Sequence, residues 1–90
     1  MLDDLFNTIL ERKQKMPEGS YTTSLFKMGE DEILKKVGEE SVEVILAAKS
    51  QGNARLVEEI ADLTYHTLVL LAERGLTPAD IAAELEKRKK

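Results

Sequence analysis

Two long helical patterns separated by a short break dominate this sequence. Apolar residues recur at helical spacing over residues 30–50, and they almost encircle a second helix predicted over residues 53–74. Gln51 and Gly52 end the first pattern, and Asn53 is suited to cap the second. Long helices joined by so short a turn are antiparallel neighbours in helical bundles. The sequence therefore predicts an all-α fold, an antiparallel helical bundle without β-strands.

Each of these two helices carries a cluster of acids on one face. With about 100° between successive residues, one face of the first helix contains Lys36, Glu39, Glu40 and Glu43. By the same spacing, one face of the second helix contains Glu59, Asp62 and His66, and Arg55 leads into it. Because the helices are expected to be antiparallel, the two acidic faces should meet.

The surroundings of these acids indicate a cation. Val42 and Leu46 border the acidic face of the first helix, and a helix that is apolar almost all round is normally buried. Burial raises the pKa of a carboxyl group unless a positive charge holds it, and Lys36 and Arg55 are too few to neutralise five acids. Mg²⁺ takes oxygen ligands and is commonly shared between carboxylates and substrate phosphates. We therefore expect a Mg²⁺ site and a phosphate-bearing substrate.

Other interpretations of the acids stay open at this point. The acids of the first helix could form a solvated face that pairs with Lys35 and Lys36 at helical spacing. A structural salt bridge with Lys36 or Arg55 is also possible for one acid. His66 is interpreted as a hydrogen-bonding residue beside the ligands rather than as a ligand.

The outer segments predict three further helices. The first runs from residue 2 to about Met16, where Pro17 breaks the pattern. Five consecutive hydroxyl side chains at residues 20–24 predict a polar loop that ends in the cap of a short helix over residues 25–28. Thr77, Pro78 and Asp80 are suited to the cap, first and third positions of a last helix.

Length and composition limit the remaining possibilities. Ninety residues predict one domain over residues 1–90, small enough that a homodimer is expected to cover part of its apolar surface. The net charge of −4 disfavours nucleic acid and acidic membranes as partners, and the basic run at residues 87–90 is expected to be a frayed end. There is no cysteine, no basic leader and no apolar run of the about 20 residues that a membrane span needs. We therefore expect a cytoplasmic protein.

The spacing Glu39-Glu40-x-x-Glu43 followed by Glu59-x-x-Asp62 resembles the signature of the all-α (MazG-type) nucleoside triphosphate pyrophosphohydrolases. Three further segments narrow the resemblance to the phosphoribosyl-ATP pyrophosphohydrolase family. They are residues 17–22 (PEGSYT), residues 36–40 (KVGEE) and residues 61–66 (ADLTYH). The resemblance covers nearly the whole chain.

This resemblance implies Mg²⁺-dependent hydrolysis of 1-(5-phosphoribosyl)-ATP to 1-(5-phosphoribosyl)-AMP and pyrophosphate, the second step of histidine biosynthesis. It assigns the metal to Glu40, Glu43, Glu59 and Asp62. Glu39 is left to hold a further metal or its bound water, or to act as base. The candidates for binding the substrate are Lys36, Arg55, Ser20, Tyr21 and Thr22.

Two other functions are weighed against this one. A housecleaning pyrophosphohydrolase acting on dUTP, dCTP or a damaged nucleotide would have the same metal site and another base pocket. A non-catalytic helical dimer would use the acids only to bind a structural cation or a basic partner.

Overall fold

The computed structural model describes residues 1–89 and contains five α-helices in that range. They are α1 (Leu2–Lys15), α2 (Tyr21–Met28), α3 (Glu30–Ser50), α4 (Asn53–Glu73) and α5 (Pro78–Arg88). No strand occurs in this part of the chain, so the predicted all-α class is confirmed. None of the five helices combines the length and hydropathy needed to cross a bilayer.

The centre of the fold is the hairpin of α3 and α4, which pack against each other more extensively than any other pair of helices within residues 1–89. Contacts between the start of α3 and the end of α4 show that the two helices run antiparallel. Arg74 pairs with Glu30 through two contacts, one of which joins Nη2 to Oε2 at 2.8 Å. The antiparallel pair predicted from the short turn is therefore present.

The core lies where α1 and α2 cover the first half of α3 and the second half of α4. Lys13 of α1 also donates a hydrogen bond to the carbonyl oxygen of Ala72 at 2.7 Å. The buried residues that form the core are Phe6, Ile9, Leu25, Ile33, Leu68, Val69, Leu71 and Ala72. The other half of the hairpin has no such cover within residues 1–89, which matters for the site described below.

Two predicted helix boundaries are wrong. Helix α2 begins at Tyr21 rather than at Leu25, because Ser20 caps it and accepts a hydrogen bond from the Thr23 amide at 3.2 Å. Helix α4 has Gly52 as its cap residue, and Asn53 is already its first helical residue. Gly52 has φ 87°, a backbone conformation that glycine adopts more readily than asparagine, and no side chain caps this helix.

The last helix begins where it was predicted. Thr77 and Asp80 form a reciprocal capping box, with Pro78 as the first helical residue. None of the residues of α5 is buried, and an apolar groove of about 430 Å³ separates its side chains Ile81 and Leu85 from α4. The basic run at residues 87–90 was expected to fray, but Arg88 is still helical, and its Nε atom lies 2.9 Å from Oε2 of Glu84. Lys90 lies outside the described residues.

Candidate active site

Three carboxylates from the two central helices meet at one place. Glu40 of α3 and Glu59 and Asp62 of α4 each offer an oxygen atom, and these atoms lie within 4.8 Å of one another. We call these three residues the carboxylate cluster. Glu59 is only 5% exposed, whereas Glu40 is half-buried and Asp62 is exposed. A site with oxygen donors alone that is open on one side fits a hard divalent cation that also keeps waters or binds a phosphate.

The three carboxylates of the cluster repel one another. Burial, and then the negative charge of Asp62, raise the pKa of the Glu40 carboxyl group above its ordinary value. His66 and Lys36 act in the opposite direction but more weakly. A cation placed among the three carboxylates would remove this repulsion, and the donor set therefore fits a divalent metal.

Arg55 already holds one member of the cluster. Its Nη2 atom lies 3.0 Å from Oε1 of Glu59, and its Nη1 atom pairs with Glu58 on the outer face of α4. A structural salt bridge between one acid and Arg55 was left open by the sequence, and the structure contains it. This salt bridge offsets the charge of Glu59 only. Glu40 and Asp62 are not part of it.

The structure separates the remaining acids of α3 from the cluster. Glu39 is exposed, and its Oε1 atom lies 3.6 Å from the Nζ atom of Lys36. Glu43 is half-buried on the next turn of α3, three residues after Glu40, and is not among the three carboxylates that meet. The structure thus brings together three of the four predicted metal ligands.

His66 connects the carboxylate cluster to α2. Its Nδ1 atom lies 2.9 Å from the carbonyl oxygen of Asp62 and 3.7 Å from Oε1 of Glu40. On the other side of the ring, Nε2 lies 3.0 Å from the hydroxyl oxygen of Tyr21. His66 therefore touches two members of the cluster without being one of the three.

The segment of hydroxyl side chains forms the first turn of α2 rather than a loop. Thr22 is hydrogen-bonded to the hydroxyl of Tyr65, and Tyr21 stacks on the Tyr65 ring with 6.2 Å between ring centroids. Arg12 of α1 reaches Ser20, with 3.5 Å between Nη1 and Oγ. The roles of Arg12 and Tyr65 in holding this turn were not predicted. The only signal in the sequence was that Tyr65 adjoins His66.

An all-helical domain that gathers carboxylates from two antiparallel helices around a possible metal site has the architecture expected of the all-α nucleoside triphosphate pyrophosphohydrolases. Comparisons with known proteins narrow this class. The family model described as phosphoribosyl-ATP pyrophosphohydrolase matches residues 2–89. This chain belongs to the phosphoribosyl-ATP pyrophosphohydrolase family, as the sequence motifs predicted.

Individual relatives agree with the family match. A phosphoribosyl-ATP pyrophosphatase of Pelotomaculum thermopropionicum is 58% identical over 89 residues, which cover 99% of this chain and 91% of that protein. The protein of that name from Listeria welshimeri is 57% identical over 88 residues, covering 98% and 84% of the two chains. That of Saccharolobus solfataricus is 48% identical over 90 residues, covering 100% and 96%. Membership of this family confirms the predicted enzyme class, a hydrolase of phosphoric anhydride bonds.

Proposed function

We propose that this protein hydrolyses 1-(5-phosphoribosyl)-ATP between its α- and β-phosphates, giving 1-(5-phosphoribosyl)-AMP and pyrophosphate in the second step of histidine biosynthesis. The observation that carries the proposal is the carboxylate cluster, which lies on the helices that bear the family's acidic motifs. The names of the family and of the relatives supply the substrate. Transfer of a phosphoryl group needs mainly positioning and neutralisation of charge from a protein.

The cofactor in this proposal is Mg²⁺, held by Glu40, Glu59 and Asp62, with Glu43 contributing from the next turn of α3. When bound, it would neutralise phosphate charge and lower the pKa of a coordinated water. Arg55 keeps the buried carboxylate of Glu59 in place through its 3.0 Å contact. Three carboxylates that already lie within 4.8 Å need little rearrangement to share one ion.

The proposed substrate groups lie around the cluster. Lys36 is half-buried beside Glu39 on the same side of α3 and is the cation best placed to meet a phosphate. Glu39 is exposed and is our candidate for the base, or for holding a further metal or its water. Ser20 and Tyr21 at the start of α2 are the proposed contacts to the sugar or phosphates. Thr22 is buried and bonded to Tyr65, so we assign it to holding the turn rather than to direct contact.

We further propose that the protein is a homodimer whose interface covers the open half of the α3–α4 hairpin. Five large apolar residues there are between 45% and 67% exposed, namely Val42, Ile45, Leu46, Val57 and Ile60. Contiguous exposed apolar surface of this kind is typical of association sites. A partner copy would also bring cations of its own near each carboxylate cluster. The proposed setting is the cytoplasm, and residues 1–90 are proposed to form a single domain.

The test of this function is release of pyrophosphate in the presence of Mg²⁺ from phosphoribosyl-ATP, ATP, dUTP and dCTP. We expect fast turnover of phosphoribosyl-ATP alone. Glu40→Gln should reduce kcat by at least about 100-fold, since it removes a carboxylate that would hold the cation, and neutralisation of developing charge by that cation is worth several kcal/mol. Glu86→Gln is the control, because Glu86 is an exposed glutamate on α5, a helix that contributes nothing to the cluster, and its activity should stay within about threefold of wild type.

Other outcomes would separate the alternatives. Turnover of dUTP or dCTP instead of phosphoribosyl-ATP would establish a housecleaning enzyme with the same cluster. A folded protein that is inactive on all four nucleotides with Mg²⁺ present would establish a non-catalytic helical protein. Comparing Glu43→Gln with Glu40→Gln tests the remaining proposed ligand, and an unchanged kcat in Glu43→Gln would remove Glu43 from the metal site.

A further inference from the structure

A second cavity, of about 410 Å³, lies between the end of α1 and the loop that leads into α2. It is lined by Glu11, Arg12 and Lys15 of α1 and by residues 17–20 of the loop, and we call it the Arg12 pocket. None of the three acids of the carboxylate cluster lines it. Its volume is in the range of sites that bind small molecules. The reaction proposed for the carboxylate cluster leaves this pocket without a role.

Arg12 is the arginine of this chain that forms no ion pair within residues 1–89. The other three, Arg55, Arg74 and Arg88, each pair with a glutamate. The guanidinium group of Arg12 has one side-chain contact in the described part of the chain, 3.5 Å between Nη1 and Oγ of Ser20. Arg12 is half-buried, so water solvates this charge incompletely. Its remaining N–H groups are free to donate to the oxygen atoms of a phosphate, which a guanidinium group binds in pairs.

Two neighbours of Arg12 add hydrogen-bond donors to the pocket. Ser20 Oγ accepts from the backbone amide of Thr23 at 3.2 Å and from Arg12, so its hydroxyl proton is available to donate. Lys15 places an ammonium group at the rim, where it lies 3.9 Å from Glu11. The side chains of this pair are 68% and 56% exposed, so water screens both charges. The half-buried charge of Arg12 therefore dominates the interior of the pocket.

Glu18 gives the pocket a hydrogen-bond acceptor. Its side chain is exposed in the loop, and it forms no ion pair within residues 1–89. A carboxylate repels a phosphate but accepts hydrogen bonds from sugar hydroxyls. A pocket that combines the donors of Arg12 and Ser20 with a free carboxylate therefore suits a sugar phosphate better than an inorganic anion.

The Arg12 pocket and the carboxylate cluster are linked through the start of α2. Ser20 lines the pocket, and the hydroxyl oxygen of the next residue, Tyr21, lies 3.0 Å from Nε2 of His66. The Nδ1 atom of His66 lies 3.7 Å from Oε1 of Glu40. One tyrosine and one imidazole ring thus separate the two sites. A single ligand with an anionic group at each end can occupy both.

We propose that the Arg12 pocket binds the phosphoribosyl group of the substrate. Arg12 and Ser20 hold its 5-phosphate, and Glu18 accepts from its ribose hydroxyls. The inference rests on the proposed function, because phosphoribosyl-ATP carries this sugar phosphate on its adenine ring, at the opposite end from the triphosphate. Since the phosphoribosyl group is what distinguishes this substrate from ATP, the Arg12 pocket selects between the two nucleotides.

The first test titrates ribose 5-phosphate or inorganic phosphate into the metal-free protein and follows the amide signals of Gly19 and Ser20 by NMR. We expect ribose 5-phosphate to bind about two- to tenfold more tightly than phosphate, because its hydroxyls also bond to Glu18. Arg12→Gln should raise both dissociation constants at least about tenfold, since hydrogen bonds between charged groups are the stronger kind. Glu18→Ala should raise that of ribose 5-phosphate about two- to tenfold without weakening phosphate binding.

The matched control for Arg12→Gln is Arg88→Gln, which removes the same charge from an exposed arginine that pairs with Glu84 on α5. Both dissociation constants should stay within about twofold of wild type, because a surface charge outside the pocket is screened. Equal losses in Arg12→Gln and Arg88→Gln would overturn the proposal. So would wild-type signals of Gly19 and Ser20 that do not respond to ribose 5-phosphate. A Glu18→Ala protein that loses phosphate and ribose 5-phosphate equally would contradict the contact with the sugar.

The second test asks whether the pocket acts on the nucleotide. Arg12→Gln should raise the KM for phosphoribosyl-ATP at least about tenfold, with kcat within about twofold of wild type. The inhibition constant of ATP, which lacks the phosphoribosyl group, should be the same for Arg12→Gln and wild type. If wild type turns over no nucleotide, the proposed function fails, and calorimetric affinities for the two nucleotides replace the kinetic constants.

The comparison with ATP separates binding by Arg12 from support of the α2 turn. If the lost contact with Ser20 merely loosens that turn, Arg12→Gln weakens ATP and phosphoribosyl-ATP equally, which would contradict the inference. An unchanged KM in an active Arg12→Gln protein would also contradict it while leaving the proposed reaction intact. A protein that is inactive on every nucleotide but binds ribose 5-phosphate through Arg12 would support the sugar-phosphate site and remove the reaction.

Discussion

Both halves of the α3–α4 hairpin carry large apolar residues, but the surroundings of these residues differ. In one half, α1 and α2 cover the helices, and Ile33 of α3 is 0% exposed. In the other half, toward the turn at Gly52, Ile45 of the same helix is 61% exposed. The carboxylate cluster lies where the covered half meets the open half. The same kind of residue thus forms the core in one place and the exposed surface of the proposed homodimer interface in the other.

The comparison explains why the cluster is half-buried rather than buried. Glu59 lies against α3 and is almost inaccessible to solvent, whereas Asp62 is exposed one turn further along α4. The expectation that the acids of these apolar helices are shielded from water holds for Glu59 but not for Glu39 and Asp62, which are exposed. The core that α1 and α2 form with the hairpin contains no residue of the open half. A site at this boundary can be supported by the core and still admit a large ligand.

The largest effect is expected from the covered half. Ile33→Ala removes a fully buried side chain next to α2, and we expect the free energy of unfolding to fall by about 2–5 kcal/mol. Chemical denaturation would measure it. Leu34→Ala is the control, because Leu34 is the next residue but is 43% exposed, and its effect should stay near or below about 1 kcal/mol. Equal effects of the two substitutions would contradict the distinction between covered and open surface.

The next effect concerns the open half. Ile45→Lys places a charge in the centre of the proposed interface, and we expect the dimer dissociation constant to rise roughly 30- to 100-fold. Sedimentation over a range of concentrations would measure this. Leu85→Lys is the control, because Leu85 is about as exposed but lies on α5, outside the interface. A wild-type protein that stays monomeric at high concentration would disprove the interface.

A smaller effect is expected at the boundary between the halves. Mg²⁺ at ten times its dissociation constant should stabilise the folded protein by about 1.4 kcal/mol, because it binds the folded state only. Asp62→Asn should abolish this stabilisation. It should also leave the metal-free protein at least as stable as wild type, since it relieves repulsion with Glu40. Thermal unfolding in EDTA measures the metal-free stability, and unfolding with Mg²⁺ measures the stabilisation by the ion. If the metal-free Asp62→Asn protein is less stable than wild type, Asp62 and Glu40 do not repel each other in the folded protein.

The smallest effect lies at the far end of the covered half. A hydrogen bond from Arg74 holds the pKa of Glu30 below its ordinary value of 4.5. A carboxyl group whose pKa is lowered by folding stabilises the protein above its unfolded pKa, and this contribution is lost as pH falls through the lower folded pKa. Wild type should therefore be slightly more stable than Glu30→Gln at pH 6 and equal to it at strongly acidic pH. A stability difference between wild type and Glu30→Gln that grows on acidification would contradict the lowered pKa of Glu30.

Helix periodicity predicted the long helices well and the short one poorly. The bounds of α3 and the start of α5 follow from local signals, glycine before Glu30 and the capping box at Thr77. Helix α2 depends on contacts that are distant in sequence. Thr22 and Thr23 are poor helix formers. The first turn is held by hydrogen bonds from Tyr21 to His66 and from Thr22 to Tyr65, both of which lie on α4.

Prediction of the site was limited in the same way, by contacts between helices that are distant in sequence. Spacing within one helix was enough to place Glu59 and Asp62 on one face, but which acids of α3 meet them depends on how α3 is rotated against α4. That rotation is set by core packing, and it selects Glu40 over Glu39. The pairing of His66 with Tyr21 joins α4 to α2, which are distant in sequence, and it has no signal in spacing alone. The sequence thus identified the family and named all three members of the carboxylate cluster, but it also included Glu43, which the structure leaves outside the three acids that meet.

Arg55 has a consequence for the order in which the protein is assembled. Its guanidinium group already offsets the charge of Glu59, the most buried of the three acids. A newly made chain can therefore bury that carboxylate and complete its helices before it meets any ion. Maturation then becomes two separable events, folding first and cation loading second. With the proposed Mg²⁺ as that ion, a cell short of magnesium would accumulate folded, idle protein that is ready to be activated, rather than unfolded chains that must be degraded.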